Sequence, residues 1–282
     1  MSNALQPADG TVVWVNGHIV GAHEPAITAA DHGLTVGDGI FETMKIVDGR
    51  AFALDRHLTR LVRSAAAVRL GLPDLAWLRD GIDEALAMAG PGAGRLRVTI
   101  TSGPGPLGAR RGTADPTTLI QVGAPTPWPP YARVALMDWP RNERSPLAGI
   151  KTISYAEGVF ALALARERGA DEAVFANTQG NLCEGAGSNV FVAIEGVLST
   201  PPLSAGCLAG VTRELVCEAT DVVEVDLAFD VLARCDELFL TSSTRDVHPV
   251  SHVDGRALPQ CPGPLTRRAA TAFAALADSL DV

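Results

Sequence analysis

Short runs of alternating apolar and polar residues dominate the start of the chain and predict strands. Residues 11–19 alternate around an Asn-Gly pair, a dipeptide typical of tight hairpin turns. The run at 40–47 predicts another strand, which contains Lys45, and the Asp-Gly pair after it predicts a turn and a short strand through residue 54. Further strands are expected at 95–102 and 118–122.

Apolar positions three and four residues apart predict helices in both halves of the chain. The predicted helices cover 56–70, 76–89, 155–168, 212–220 and 264–280. Strands are expected in the second half near 133–137 and at 172–176, 188–194, 197–200 and 237–241, with a strand-like stretch at 147–151. Because strands and helices are mixed and do not alternate strictly, the pattern favours an α+β fold.

A proline-rich segment interrupts this pattern between the two halves. The sequence APTPWPP suits a stiff connection between domains better than any regular element. We therefore predict an N-terminal α+β domain at 1–123, a linker at 124–132 and a C-terminal α+β domain at 133–282, which carries Lys151.

Composition and charge narrow the class of protein. The chain is 47% hydrophobic and 20% charged, with a formal net charge of -9, which argues against nucleic acid or an anionic membrane as the main partner. No apolar run approaches the roughly 20 residues of a membrane helix, and the first ten residues lack the features of a secretory signal. We expect a cytoplasmic protein that acts on a small molecule.

The cysteines and histidines predict neither disulfides nor a metal site. The five cysteines are odd in number and never form a C-x-x-C pair. His248 and His252 are four residues apart, but Pro249 between them disfavours a helical metal-binding face.

Lysine is rare in this chain, and this narrows any chemistry that needs an amine. Of the 23 basic residues, 21 are arginine, which leaves Lys45 and Lys151. Lys151 lies where a strand-like stretch gives way to a helix, so its side chain could point into a cleft, although a surface position at a helix start is the alternative. Lys45 lies inside a predicted strand and is the second candidate.

An anion site is suggested by residues 210–212, which precede a predicted helix whose N–H groups and positive dipole end attract negative charge. Helix capping by Thr212 is the alternative. The hydroxyl residues at 241–244 could add donors to the same anion. Arg60 shares a helix face with two other arginines, so a solvated basic stripe is the alternative for that residue.

A carboxylate is the third group that could carry chemistry, after the lysine and the anion site. Glu184 lies among small residues that let a ligand approach closely, although a simple turn carboxylate is the alternative. A lysine that can form an imine, an anion site and a carboxylate that keeps a ring nitrogen protonated are together what a pyridoxal phosphate enzyme requires.

Six ordered motifs then identify a resemblance that runs from about residue 14 to residue 273. They are GDGIFETMK (37–45), RHLTRL (56–61), LAGIK (147–151), CEGAGSNVF (183–191), LAGVTREL (208–215) and ELFLTSST (237–244). On these motifs the chain resembles the class IV aminotransferases, which are the fold-type IV pyridoxal phosphate enzymes. The resemblance implies a two-domain α+β fold with the cofactor in the interdomain cleft, and a homodimer.

The resemblance also implies roles for individual residues. Lys151 would form the internal aldimine and shuttle the proton, Glu184 would pair with the pyridine nitrogen, and Arg60 would bind the phosphate. The other residues implied are the Val211 backbone, Thr212, Ser243 and Thr244 at the phosphate, and Tyr155 near the phenolic oxygen of the ring. Of these roles, that of Lys151 demands an amine, because arginine cannot alternate between an imine and a free base.

Substrate residues must separate the family members, because these share the cofactor residues. The Phe41-Glu42-Thr43 sequence and Arg97 resemble those of aminodeoxychorismate lyases. Ser102 stands where D-amino-acid enzymes carry an arginine, and Arg110 and Arg111 could supply a replacement clamp for a substrate carboxylate. The predicted substrate-binding residues are Phe41, Arg97, Arg110 and Arg111.

We predict an aminotransferase that moves an amino group between a D-amino acid or R-amine and a 2-keto acid. Aminodeoxychorismate lyase, which releases pyruvate and 4-aminobenzoate, is the second hypothesis, and a branched-chain L-amino-acid aminotransferase is the third. A catalytically silent cofactor or metabolite binder is the alternative from another class, and the joint presence of Lys151 and Glu184 argues against it.

Overall fold

The computed structural model describes residues 10–21 and 23–279. Predictions that concern residues 1–9 and the end of the last helix at 280 fall outside these ranges. The described chain divides into two compact units. The first holds the residues up to Thr126 together with Ile150–Tyr155, and the second holds Pro127–Gly149 and the residues from Ala156 onward.

An antiparallel sheet, six-stranded over the described residues, forms the first unit. Its strands are β1 (Val12–Val15), β2 (His18–Val20), β3 (Gly39–Val47), β4 (Arg50–Ala51), β5 (Arg95–Thr101) and β6 (Thr117–Gly123), in the order β2-β1-β6-β5-β3-β4. The predicted hairpin is confirmed, because β1 and β2 pair around Asn16 and Gly17, which both have positive φ. In the pairing of β3 with β5, Thr43 lies opposite Arg97.

Helices pack against this sheet through their apolar faces. They are α1 (His32–Thr35), α2 (Leu54–Ala67) and α3 (Leu75–Ala89), and the core between helices and sheet contains Trp14, Met44, Leu61 and Ile82. Asp74 caps α3 by accepting hydrogen bonds from the backbone N–H groups of Ala76 and Trp77 at 2.9 and 3.0 Å. The short strand predicted through residue 54 is wrong at its end, because β4 has two residues and α2 begins at Leu54.

A mixed sheet, nine-stranded over the described residues, forms the second unit. Its strands are β7 (Ala132–Leu136), β8 (Glu172–Ala176), β9 (Leu182–Gly185), β10 (Asn189–Ile194), β11 (Val197–Thr200), β12 (Val223–Glu224), β13 (Glu237–Ser242), β14 (Asp246–Val253) and β15 (Arg256–Ala257). The order is β12-β11-β10-β13-β14-β7-β8-β9, with β15 beside β14, and three of the pairs are parallel. With the helices below, this confirms the α+β class.

The helices of the second unit are α4 (Ala156–Glu167), α5 (Val211–Ala219) and α6 (Pro264–Ser279), close to the predicted bounds. Two short 3-10 turns, Leu203–Ala205 and Phe229–Ala233, connect other elements. One apolar core includes Val134, Val190 and Leu238, and a second, around α4, includes Ala161 and Phe175.

The segment from Leu147 to Lys151 does not form the predicted strand-like stretch. β4 has only two residues, so it does not pair with the first half of β3. The segment Ile150–Tyr155 lies along that half of β3 in its place. The Phe41 N–H donates to the Lys151 carbonyl at 2.9 Å, and the Ile153 N–H donates to the Gly39 carbonyl at 3.0 Å. The structure thus differs from the predicted division, which assigned Lys151 to the C-terminal domain, since this segment packs with the first unit.

Candidate active site

Apart from Arg110 and Arg111, the predicted site residues fall into two groups, one in each unit, and each group includes further polar residues that the sequence did not single out. The group in the first unit, called here the lysine cluster, comprises Phe41, Glu42, His57, Arg60, Arg97, Lys151 and Tyr155. The group in the second unit, called here the hydroxyl cluster, comprises Glu184, Asn189, Val211, Thr212, Thr241, Ser243 and Thr244.

Phe41 is the centre of the lysine cluster. The Lys151 Nζ lies 4.3 Å from the centre of its ring, and the Arg97 guanidinium carbon lies 3.8 Å from the same point. The Tyr155 ring meets it edge-on at 6.2 Å. The Lys151 amine and the Arg97 guanidinium therefore lie against one aromatic ring, whose quadrupole favours a positive charge.

Arg97 is a half-buried cation on β5. Its Nε donates to the Thr99 hydroxyl at 3.1 Å, and within the described residues it forms no ion pair with a carboxylate. Burial lowers the pKa of Arg97, and the nearby charge of Arg95 lowers it further. A half-buried guanidinium favours the binding of an anion, because hydrogen bonds to the anion replace those that the guanidinium no longer makes to water.

Glu42, Arg60 and His57 form a buried hydrogen-bonded triad in the same cluster. The Arg60 Nε and Nη2 donate to the two Glu42 oxygens at 2.8 and 2.6 Å, and the His57 Nδ1 lies 2.7 Å from Glu42 Oε2. Arg60 is 5% exposed, so the alternative of a solvated basic stripe is wrong for this residue.

The electrostatics of this triad follow from burial and pairing. Burial alone would raise the pKa of Glu42, but the hydrogen bonds and charge of Arg60, helped by His57, lower it to about 2. Burial lowers the pKa of His57, against the opposing effect of Glu42. At neutral pH the triad therefore holds a carboxylate, a guanidinium and a neutral imidazole whose Nδ1–H donates to Glu42. Sequence reasoning missed Glu42 and His57, although both lie inside the matched motifs.

Glu184 projects from β9, a strand that the sequence did not predict. Its Oε2 accepts a hydrogen bond from the Leu208 N–H at 2.8 Å, which fixes the carboxylate. Burial, followed by the charge of Glu184, raises the pKa of the Cys183 thiol, and the same causes raise that of Cys207 to about 12. The Cys183 and Cys207 thiols near this carboxylate therefore stay neutral.

The predicted anion site lies at the start of α5. Gly210 is the N-cap residue without a capping side chain, and Thr212 lies buried inside the first turn, so the capping alternative is wrong for Thr212. A Cβ at residue 210 would lie 2.1 Å from Asn189 Oδ1, so this close approach requires glycine. A helix start of this kind presents backbone N–H groups to an anion.

Asn189 joins this helix start to the hydroxyl residues at the end of β13. It lies opposite Thr241 in the sheet, and its Nδ2 donates to the Leu208 carbonyl at 2.8 Å. The Thr241 hydroxyl is buried and has no hydrogen-bond partner among the described residues. Ser243 and Thr244 follow in the turn. An orphaned buried hydroxyl beside a helix start fits the oxygens of a phosphate group.

A buried ion pair supports this turn. Glu172 is fully buried, lies 3.0 Å from the Arg245 guanidinium, and accepts a hydrogen bond from the Ser188 hydroxyl at 3.0 Å. Arg245 follows Thr244 directly, so the ion pair fixes the end of the turn. No pattern in the sequence indicates this pairing.

The two loop arginines differ in their contacts. Arg111 donates to both oxygens of Asp38, at 2.6 and 2.7 Å, and to the Arg69 carbonyl at 2.6 Å, but it contacts no residue of the lysine cluster. Arg110 is exposed. The role of both arginines in substrate binding stays a prediction.

Over the described residues, no helix combines the length and the apolar character needed to span a bilayer. The cytoplasmic location and the homodimer stay predictions.

The model of the amino-transferase class IV family matches residues 39–253. The chain therefore belongs to the class IV aminotransferases, and it is a pyridoxal phosphate-dependent enzyme. It is 30% identical to the D-alanine aminotransferase of Bacillus licheniformis, over 93% of this chain and 95% of the relative. It is also 30% identical to the bifunctional aminodeoxychorismate lyase / D-amino acid transaminase of Mycobacterium tuberculosis, over 89% of this chain and 94% of the relative.

Solved structures give the same result and confirm the fold-type IV architecture. The branched-chain aminotransferase of Thermoproteus uzoniensis with norvaline has a TM-score of 0.85 and 28% identity, over 94% of each chain. The PLP-bound form of a hypothetical aminotransferase from Mycobacterium tuberculosis has a TM-score of 0.83 and 28% identity, over 95% of this chain and 99% of that chain.

Proposed function

We propose that this enzyme transfers an amino group between a D-amino acid or R-amine and a 2-keto acid, with Lys151 as the residue bonded to pyridoxal phosphate. The observation that carries the proposal is that an amine and a guanidinium lie against the same Phe41 ring. Lys151 supplies an amine, and Arg97 supplies a guanidinium without a carboxylate partner among the described residues. An amino acid needs both groups, one at its Cα and one at its carboxylate.

The bound cofactor supplies an acceptor for the electrons that are left when the substrate Cα loses its proton. Lys151 takes the proton from Cα and returns it during transfer, which requires an amine that can exist in the neutral form. Arg97 binds the substrate carboxylate through paired hydrogen bonds and so orients Cα.

The remaining residues hold the cofactor. Glu184 holds the proton on the ring nitrogen, and the Leu208 N–H fixes this carboxylate. Arg60 donates to the phosphate from a guanidinium whose orientation Glu42 fixes. The other proposed phosphate ligands are the Val211 N–H, Thr212, Ser243 and Thr244, and Tyr155 is proposed for the phenolic oxygen.

Aminodeoxychorismate lyase is the second candidate function, and Arg97 is the observation that favours it. A basic residue at this position of β5 resembles the lyase sequences. One relative of this chain is a bifunctional aminodeoxychorismate lyase / D-amino acid transaminase. The lyase also needs a base at Lys151 and a cation for a carboxylate, so the same cluster serves both reactions.

The experiment is a set of single-turnover reactions with the purified holoenzyme. D-Alanine, L-leucine, R-1-phenylethylamine and aminodeoxychorismate are added separately, while the visible absorption of the lysine-bound cofactor and the products are followed. We expect D-alanine or the R-amine to abolish this absorption, with D-alanine yielding pyruvate, and L-leucine to have little effect. A faster reaction with L-leucine contradicts the proposal, and release of 4-aminobenzoate without turnover of D-alanine or the R-amine favours the lyase.

A further inference from the structure

The loop between β5 and β6, residues 102–116, is fixed at its base. Gly103 has a φ of +75°, and a Cβ there would lie 2.2 Å from the Asp115 carbonyl, so the two arms of the loop almost touch. The His32 N–H donates to the Gly103 carbonyl at 3.0 Å, and the His32 Nε2 lies 2.9 Å from the Pro106 carbonyl. These contacts fix the base of the loop, whereas its tip, from Leu107 onward, lies beyond them.

Arg111 provides a second attachment, close to the tip. It donates to both carboxylate oxygens of Asp38 and to the Arg69 carbonyl, so three of its N–H groups are used within the protein. Paired hydrogen bonds of this kind are among the stronger polar contacts. The hydrogen bond from Arg111 lowers the pKa of Asp38 against the effect of burial, so the pair is charged at neutral pH.

Asp38 lies between two glycines whose carbonyls accept hydrogen bonds from residues that follow Lys151. The Gly37 carbonyl accepts a hydrogen bond from the Ser154 hydroxyl at 2.7 Å, and the Gly39 carbonyl accepts one from the Ile153 N–H at 3.0 Å. Residues 37–39 thus contact the loop through the Asp38 side chain. They contact the segment that carries Lys151 through the Gly37 and Gly39 carbonyls.

We propose that Arg111 is a positioning residue, not a substrate ligand, and that its pairing with Asp38 fastens the loop to the segment that holds Lys151 in place. Arg110, the next residue, is exposed and forms no hydrogen bond or ion pair with the described residues, so it is the loop arginine that binds a second anionic group of the substrate, beyond the carboxylate that Arg97 binds. The substrate part of this inference rests on the proposed function.

The first test measures attachment of the loop without using activity. Leu107 is fully exposed at the tip, so thermolysin can cut before it, and the cut is identified by peptide mass. In the holoenzyme we expect Arg111→Gln and Asp38→Asn to be cut about tenfold faster, because cleavage follows the population of the detached loop. Arg110→Gln should be cut at the wild-type rate. Arg79→Gln, which breaks an exposed ion pair with Asp55 in the same unit, is the matched control.

The second test separates positioning from a general loss of structure. Arg111→Gln, Asp38→Asn and Arg110→Gln should each raise the KM for a dicarboxylic amino donor, D-aspartate or D-glutamate, about tenfold while kcat changes less, with the thermal midpoint near the wild-type value. Asp38→Glu keeps a carboxylate within reach of a flexible arginine, so it should restore most of the affinity.

Three results would overturn the inference. Unchanged cleavage in Asp38→Asn contradicts the attachment, whatever the activity. Faster cleavage with an unchanged KM contradicts a role of the loop in substrate binding. Faster cleavage in Arg110→Gln contradicts the division of roles. If the wild-type enzyme uses no amino donor, the proposed function fails, and with it the substrate role of Arg110, while the cleavage result still decides the attachment.

Discussion

The lysine cluster and the hydroxyl cluster use different chemistry. In the lysine cluster the important groups are charged side chains, and burial forces Arg60 to pair with Glu42 while Arg97 stays without a carboxylate partner among the described residues. In the hydroxyl cluster most groups are neutral donors, held by the sheet register at Asn189 and by the close approach of Gly210. The first cluster should therefore be sensitive to changes of charge, and the second to changes of shape.

The largest effect should come from the amine of the lysine cluster. Lys151→Ala should lower aminotransferase activity by about a thousandfold or more, because a positioned acid-base group is lost. It should also abolish the visible absorption of the lysine-bound cofactor. Lys45→Ala is the matched control, since Lys45 is the other lysine of the chain and its Nζ lies 4.5 Å from the Phe52 ring centre. Equal losses in both variants would contradict the assignment.

Removing the charge of Glu42 should give the largest loss of stability. Glu42→Gln leaves the buried Arg60 without its counter-charge, which costs about 3–5 kcal/mol in comparable buried pairs. Urea unfolding measures this cost, and Glu167→Gln, at an exposed position, is the control. A change below 1 kcal/mol would show that the pair contributes little.

The pH dependence of stability should also identify Glu42. Its pKa is lowered to about 2 from an ordinary value of 4.5, so its contribution is complete above pH 4.5 and is lost as the pH falls towards 2. Glu42→Gln should therefore show a flatter fall in unfolding free energy between pH 5 and 2 than the wild type. Parallel curves would contradict the lowered pKa.

The hydroxyl cluster should respond to shape. In Gly210→Ala the new methyl group would collide with Asn189 Oδ1, so one of the two must shift. We expect a loss of about 1–3 kcal/mol in stability and a weaker affinity for pyridoxal phosphate, measured by fluorescence titration of the apoenzyme. Gly92→Ala, where the new Cβ meets no atom within 4 Å, is the control and should behave like the wild type.

The smallest effect should come from the orphaned hydroxyl. Thr241→Val keeps the shape of the side chain, so we expect unchanged or slightly higher stability but about fivefold weaker cofactor binding if the hydroxyl serves the phosphate. Thr200→Val removes a hydroxyl that donates to the Val190 carbonyl at 2.8 Å. It should show the reverse, with lower stability and unchanged cofactor affinity. The same result in both variants would remove Thr241 from the phosphate site.

The alternation of residues predicted most strands and helices, but it failed where pairing in the sheet outweighed local preference. β14 contains Pro249, which disfavours a strand, yet Pro249 pairs with Phe239 inside the sheet. The placement of Lys151 also failed, because no periodicity reveals that β4 is short enough to leave part of β3 without a neighbour.

The motifs supply many of the candidate site residues, but they do not show which of these residues pair with one another. Arg60 was identified through the resemblance, whereas its partner Glu42 lies in an apolar strand and gave no separate signal. The same holds for the Arg111–Asp38 pair, whose members are 73 residues apart. Long-range ion pairs depend on the folded backbone, and a single sequence does not specify which charges meet.

The role of Lys151 is tested most directly by trapping the cofactor on the protein. Borohydride reduction of the holoenzyme fixes pyridoxal phosphate on the lysine that binds it, and peptide mass spectrometry locates the label. We predict that the label lies on Lys151. A label on Lys45, or no label on a protein that contains the cofactor, would contradict it.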